Sequence, residues 1–271
     1  MPQFTYLTGD DTQTVDMPAP TYEVIPGVQW GDPCALFTPA YWYTQFLMRQ
    51  GNEDCPRSHR VGSTFEEELT VCLLGGYGIP AEVGLAAFDR LKDEGIIRAL
   101  SADCILLEQL LREPLNVGGR SVRYRFWRQK ARYLAAAYAV LQETNLPMQD
   151  AVLLRNTLMQ IPGIGSKTAS WIVRNWLGSN EVAILDIHIV RAGMLARVFS
   201  PTDCVTRHYL KMERRFVAFA SAVLVPTSDL DALIWATMRT TPRLVMRLLD
   251  KQHGQIQGRS NRAGRAPLPS A

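Results

Sequence analysis

Cysteine is scarce and poorly placed for a framework: Cys34, Cys55, Cys72, Cys104 and Cys204 are odd in number, scattered over 271 residues, and never form a CxxC pair. That spacing argues against a zinc site or a disulfide scaffold and predicts reduced, mostly buried thiols. Long apolar runs are also lacking. No stretch approaches the roughly 20 residues of a membrane helix, and the N-terminus has neither the basic start nor the apolar run of a leader. A soluble protein of the cytoplasm, nucleoid-associated in a prokaryote, with no membrane partner, is the expectation. Basic residues are missing from residues 1–48, which hold Asp10, Asp11, Asp16, Glu23 and Asp32. Acids are missing from residues 251–271, which hold Lys251, Arg259, Arg262 and Arg265. Taking those five acids and four bases from the 26 and 29 of the whole chain leaves 25 basic against 21 acidic residues between them. This balance is compatible with a nucleic-acid partner and does not demand one.

At 47% hydrophobic residues the chain can bury a core, in one large or two closely packed domains. Apolar residues recur three or four apart along most of its length, and no connector shows two alternating β-runs, so the fold class is all-α. Thr38 before Pro39 marks a helix through TPAYWYTQFLMRQ; Ser63, Thr64, Phe65 and Glu66 mark a second through EELTVCLLGG, which the glycines stop. Further helical stretches are IPAEVGLAAFDRLKDEG, ADCILLEQLLR, RYRFWRQKARYLAAAYAVLQ, QDAVLLRNTLMQ, SKTASWIVRNWLG, DIHIVRAGMLARVF, VTRHYLKMERRFVAFASAVL and DLDALIWATMR. Residues 1–20, polar and aperiodic, are expected to be a flexible segment, and residues 251–271 a disordered basic tail.

The most informative stretch is LMQIPGIGSKTA, residues 158–169. Gly163 and Gly165 allow a tight turn with outward N–H groups, while Ile161 and Ile164 turn inward to join two helices. With the open N-terminus of the next helix these amides form an anion site suited to a DNA phosphate. Alone, such a turn is equally a plain structural connector. Lys167 tips the balance, because the first turn of a helix lies at the positive end of its dipole and disfavours a structural cation. The same field favours the neutral, nucleophilic amine of Schiff-base chemistry. Nineteen positions on, Asp186 falls at the expected N-cap of the following helix, a place Asp also takes for structural reasons alone.

Together, residues 161–191 closely resemble the helix-hairpin-helix DNA glycosylases of the endonuclease III superfamily, whose hairpin is followed by a Gly/Pro-rich connector and an invariant aspartate. Members with lysine at the position of Lys167 are bifunctional glycosylase/lyases. The lysine-to-aspartate spacing and Asp186-Ile187-His188 are similar to the 8-oxoguanine branch. EELTVCLLGG followed by IPAEVGL, then RFWRQKARYL, then residues 229–235 resemble, in order, the short microbial 8-oxoguanine glycosylases. The resemblance implies two packed helical domains with the active site in the cleft between them: residues 21–75 with 200–250, and residues 76–199 carrying the helix-hairpin-helix.

It further implies that a modified purine, 8-oxoguanine first, is flipped out of double-stranded DNA into a pocket. Lys167 would attack C1′ and displace the base, and Asp186 would support the amine and the positive charge developing on the sugar. β-Elimination from the Schiff base would then cut the strand. A monomer with no cofactor and no metal is implied; the iron–sulfur cluster of some relatives needs four grouped cysteines after the catalytic domain, where this chain has Cys204 alone. Trp171, Trp235 and Asp231 become base-pocket residues, with core packing the alternative for either tryptophan. Gly163, Ile164, Gly165 and His188 would contact DNA, although His188 could equally pair locally. Gly76 and Tyr77 would form a turn facing the gap left in the duplex. Arg120, Arg123, Arg125, Arg128, Lys130 and Arg132 interleave with Tyr124, Phe126 and Trp127, first a solvated helix face and second a phosphate contact.

The short glycosylases end soon after the pocket tryptophan and use their terminal carboxylate on the oxidised base, whereas thirty-six residues follow Trp235 here. The same chemistry on a different lesion, or on a modified base of foreign DNA, is therefore an alternative. A non-catalytic helix-hairpin-helix DNA-binding protein is another.

Overall fold

A computed structural model describes residues 2–8, 11–50, 60–76 and 78–263, with backbone only at 253 and 255–263. The chain divides into two compact units, Met1–Cys55 with Leu185–Ala271, and Pro56–Ile184. The first opens with β1 (Gln3–Thr8), β2 (Asp11–Asp16), β3 (Glu23–Ile25), β4 (Val28–Gln29) and α1 (Pro39–Gln50). The second holds α2 (Phe65–Leu74), α3 (Ala81–Asp93), α4 (Ile96–Ala99), α5 (Cys104–Arg112), β5 (Leu115–Val117), β6 (Arg120–Val122), α6 (Trp127–Glu143), α7 (Ala151–Leu158) and α8 (Ser166–Leu177). The chain then returns to the first with α9 (Ile187–Leu195), α10 (Val205–Ala222), α11 (Thr227–Thr240) and α12 (Pro242–Ala263).

Helices begin where a side chain takes an orphan amide. Thr38 Oγ1 accepts from Tyr41 N at 3.1 Å to start α1. Thr64 Oγ1 accepts from Glu67 N at 3.3 Å while Glu67 Oε2 accepts from Ser63 N at 2.7 Å, a reciprocal capping box. Asp103 and Asp150 cap α5 and α7.

In the second unit Leu69 and Leu73 of α2, Leu107 and Leu111 of α5, Leu134 and Tyr138 of α6, Leu158 of α7 and Ile172 of α8 share one buried cluster. α5 packs on α6, and α7 on α8. The buried Glu68 carboxylate accepts the amides of Val61 and Gly62 (2.9 and 2.8 Å) and Asn175 Nδ2 (2.7 Å), tying α8 to the head of α2 without an unsatisfied charge. In the first unit Phe37 stacks on Trp42 (5.5 Å between centroids), and α9, α11 and α12 pack as successive neighbours. Among the described residues no single helix is long and apolar enough to cross a membrane; α10 and α11 reach that composition only as a pair bent by 100°.

The helical class stands, with three two-stranded hairpins added among the described residues. The expected flexible segment 1–20 is corrected by one of them: β1 and β2 pair in continuous register from Gln3↔Asp16 to Thr8↔Asp11. Phe4 and Tyr6 stack on one face at 6.3 Å, and α1 packs on β1. The unit boundaries fall at 55/56 and 184/185 instead of near 75 and 199, because α2 belongs to the core of the Pro56–Ile184 unit and α9 packs on α11 and α12. The expected disordered tail 251–271 is helical as far as Ala263. Val245 and Leu249, one turn apart, bury a stripe of α12, and Gln252 Nε2 donates to Met194 O at 3.1 Å. Residues 264–271 lie outside the described residues.

Candidate active site

After α7 the backbone closes two short turns, Ile161 N to Leu158 O and Ile164 N to Ile161 O, both 3.0 Å, and buries both isoleucines. Gly163 sits at φ +88°, and a Cβ there would stand 2.1 Å from the Tyr133 ring, so backbone and packing both require glycine. Gly165, extended and exposed, is the N-cap of α8 and brings no capping side chain. Ala169 N donates to Gly165 O at 2.9 Å, which leaves the amides of Ser166, Lys167 and Thr168 without an acceptor among the described residues. Three open donors at the positive end of a twelve-residue helix suit an anion. Lys167 is half-buried on this first turn.

One turn further on, Trp171 is half-buried and reaches the end of α2: a Cβ on Gly75 would lie 3.1 Å from Trp171 Cη2. Gly76 follows, exposed at φ +106°; Tyr77 lies outside the described residues. Lys130 Nζ donates to Leu73 O and to Gly75 O, the second at 3.1 Å, and Tyr124 OH donates to Leu74 O at 2.5 Å. Burial pushes the Lys130 ammonium pKa down and the Tyr124 phenol up. These two side chains therefore leave the solvated face expected of their segment. Arg128 does keep to it, with its guanidinium carbon 4.7 Å from the Trp127 ring centroid, where Arg112 of α5 also approaches at 5.6 Å.

In the other unit, Asp186 caps α9 from an extended backbone (φ −86°, ψ −178°). Its Oδ1 accepts from His188 N at 2.8 Å and Ile189 N at 3.0 Å, and Oδ2 accepts no hydrogen bond among the described residues. Leu185 N, just before the cap, donates to Tyr209 OH of α10 at 3.1 Å. Asp186 and His188 are both half-buried. α9 packs on α11, where Asp231 is 2% exposed and Trp235, one turn later, is 44% exposed with the Arg239 guanidinium 4.4 Å over its ring. Gly163, Ile164, Gly165, Lys167 and Trp171 are thus gathered with the Gly75 and Gly76 turn in one unit. Asp186, His188, Asp231 and Trp235 share neighbouring helices in the other. Among the described residues no three His, Cys, Asp or Glu side chains converge to hold a metal ion.

The family model described as 8-oxoguanine DNA glycosylase matches residues 54–225. The chain belongs to the 8-oxoguanine DNA glycosylase family. Within the family it is 30% identical over 139 residues to an 8-oxoguanine DNA glycosylase/AP lyase of Saccharolobus islandicus, covering 47% of this chain and 64% of that protein. A Saccharolobus solfataricus protein of the same description is 32% identical over 126 residues, 43% of this chain and 60% of its own. The chain thus spans under two thirds of the length of these curated relatives. A solved structure of a trapped endonuclease III–DNA covalent intermediate superposes with a TM-score of 0.52 at 19% identity, over 72% of this chain and 82% of that one, a likeness of fold alone.

Three side chains beside these residues have roles that a reading by motif misses. Tyr133, although inside the RFWRQKARYL stretch, lies under Gly163, and Tyr209 accepts from Leu185 N; both are tertiary contacts with no local signal. Lys130 had one: it lies four and eight residues before the buried Leu134 and Tyr138, on the inward stripe of α6.

Proposed function

We propose that the chain is a monomeric DNA glycosylase with abasic-site lyase activity, which excises a modified purine, 8-oxoguanine first, from double-stranded DNA in base-excision repair. The observation that carries this reading is a single turn of helix: the open amides of Ser166, Lys167 and Thr168 suit a phosphate, and the Lys167 amine stands on the same turn. Lys167 Nζ attacks C1′ of the extruded nucleotide, and the glycosidic bond breaks with its electron pair leaving on the base, which takes up a proton. The sugar ring opens to a Schiff base. Loss of a C2′ proton then breaks the C3′–O bond, and the 3′ phosphate departs with that electron pair. Asp186 supplies the counter-charge: its Oδ1 is fixed by two amides, so the carboxylate meets developing positive charge without reorganising.

Borohydride trapping tests the proposal. Wild-type protein should form a covalent adduct with a duplex carrying 8-oxoguanine opposite cytosine, and Lys167→Gln should form none. An adduct only with other modified bases would keep the chemistry and replace the substrate. Tight binding with no adduct on any lesion or abasic duplex would leave a non-catalytic hairpin protein.

A further inference from the structure

The end of α2 is held from outside the helix. The last carbonyls of a helix have no intrahelical donor. Here Val71 O accepts from Gly75 N at 3.0 Å, and the carbonyls of Leu73, Leu74 and Gly75 are taken by α6 and the segment before it. Lys130 Nζ serves Leu73 O and Gly75 O, and Tyr124 OH serves Leu74 O. A cation at this end of the helix dipole is favourable, but bringing an ammonium this far from solvent costs free energy that a methionine of similar length would not incur. What that amine secures is the position of Gly75.

Gly75 lies close to Trp171, since a Cβ added to it would crowd the ring at 3.1 Å from Cη2. Trp171 lies one turn beyond Lys167 on the same face of α8, so its ring has a set offset from the attacking amine. We propose that Lys130 is a positioning residue for the extruded base: by fixing the end of α2 against Trp171, it sets a wall on which the base is seated in line with Lys167. The inference rests on the glycosylase reading above. It makes a distinction that reading does not, because an abasic sugar has no base to seat.

The test uses the full chain and two reactions, single-turnover excision of the base that the wild type removes and cleavage of a preformed abasic site. Lys130→Met should slow excision by about tenfold or more, as expected for misplacement near the reacting centre, while abasic-site cleavage stays within about twofold of wild type. Lys130→Arg, which keeps a cationic donor, should recover part of the loss. Gly75→Ala is the second variant: at φ −81° alanine is unstrained, and its Cβ should part the turn from the ring and give the same split. Equal losses in both reactions, or no loss in either, would overturn the proposal, and Gly75→Ala alone decides if Lys130→Met fails to fold. Wild-type protein inactive on both substrates would instead remove the glycosylase reading, and the inference with it.

Discussion

The Tyr133 ring lies directly beneath Gly163, so close that a Cβ on the glycine would stand 2.1 Å from Tyr133 Cγ. The hairpin is thus pressed against α6 at the one residue whose φ, +88°, already favours glycine. Gly163→Ala should cost about 2 kcal/mol or more through steric overlap and left-handed strain together, and should weaken DNA binding by shifting the amides at the head of α8. Thermal unfolding and DNA affinity check it. Combining the change with Tyr133→Ala relieves the overlap and not the strain, so the double variant should lose less than the two single losses added.

Asp186 has two separable tasks. As an N-cap it needs an oxygen at Oδ1; as a counter-charge it needs the negative carboxylate. Asp186→Asn keeps the first and should leave stability within about 0.5 kcal/mol, whereas Asp186→Ala should cost about 1 kcal/mol. Both should lower excision by about a hundredfold, with much smaller changes in DNA binding. Wild-type turnover in Asp186→Asn would remove the electrostatic role.

The capping box of α2 should give the fold an acid-sensitive component. The Ser63 amide and, against the cost of burial, Lys92 at 3.0 Å hold the Glu67 carboxyl below its ordinary value of 4.5. A lowered folded pKa means that the unfolded chain binds more protons, so this stabilisation is complete above 4.5 and disappears as pH falls through the lower folded value. Urea unfolding midpoints of wild type and Glu67→Gln should therefore differ most above the ordinary value of 4.5 and converge as the pH falls well below it. A constant difference across that range would show that charge is not what Glu67 contributes.

The helices and the hairpin were legible because they are written locally. Thr38 and Thr64 are caps, and Gly163, Gly165 and Lys167 fall within five consecutive positions whose turn and dipole chemistry can be argued without knowing what surrounds them. What was not legible depends on neighbours distant in sequence. β1 shows its alternation only in Phe4 and Tyr6, between Gln3 and Thr5 and before an exposed Leu7 that breaks it, so the stretch also reads as a loop. α2 and α9 fall on their sides of the unit boundaries because of what they pack against, and their own sequences are amphipathic in either place. Lys130 carries a charge, and the charge masked its place on the buried stripe of α6. The basic composition of residues 251–263 likewise hid that they continue α12, which Val245 and Leu249, just before them, fix to the fold.

Asp231 and Trp235 are one turn apart on α11, yet their surroundings assign them different consequences. Asp231 is 2% exposed, and a buried carboxylate removed from its partners leaves those partners unpaired, so Asp231→Ala should cost about 2–4 kcal/mol and lower excision only as far as folding falls. Trp235 is 44% exposed, with one face of its ring under the Arg239 guanidinium. Losing that contact and the remaining burial should cost about 1 kcal/mol. If the ring stacks on an extruded base, Trp235→Ala should slow base excision well beyond that stability change, while Trp235→Phe, which keeps an aromatic face, should retain most of the activity. Measuring unfolding and single-turnover excision on all three variants separates the roles. Excision that tracks stability at Trp235 as it does at Asp231 would make the tryptophan a packing residue and move the search for the base-stacking face to Trp171.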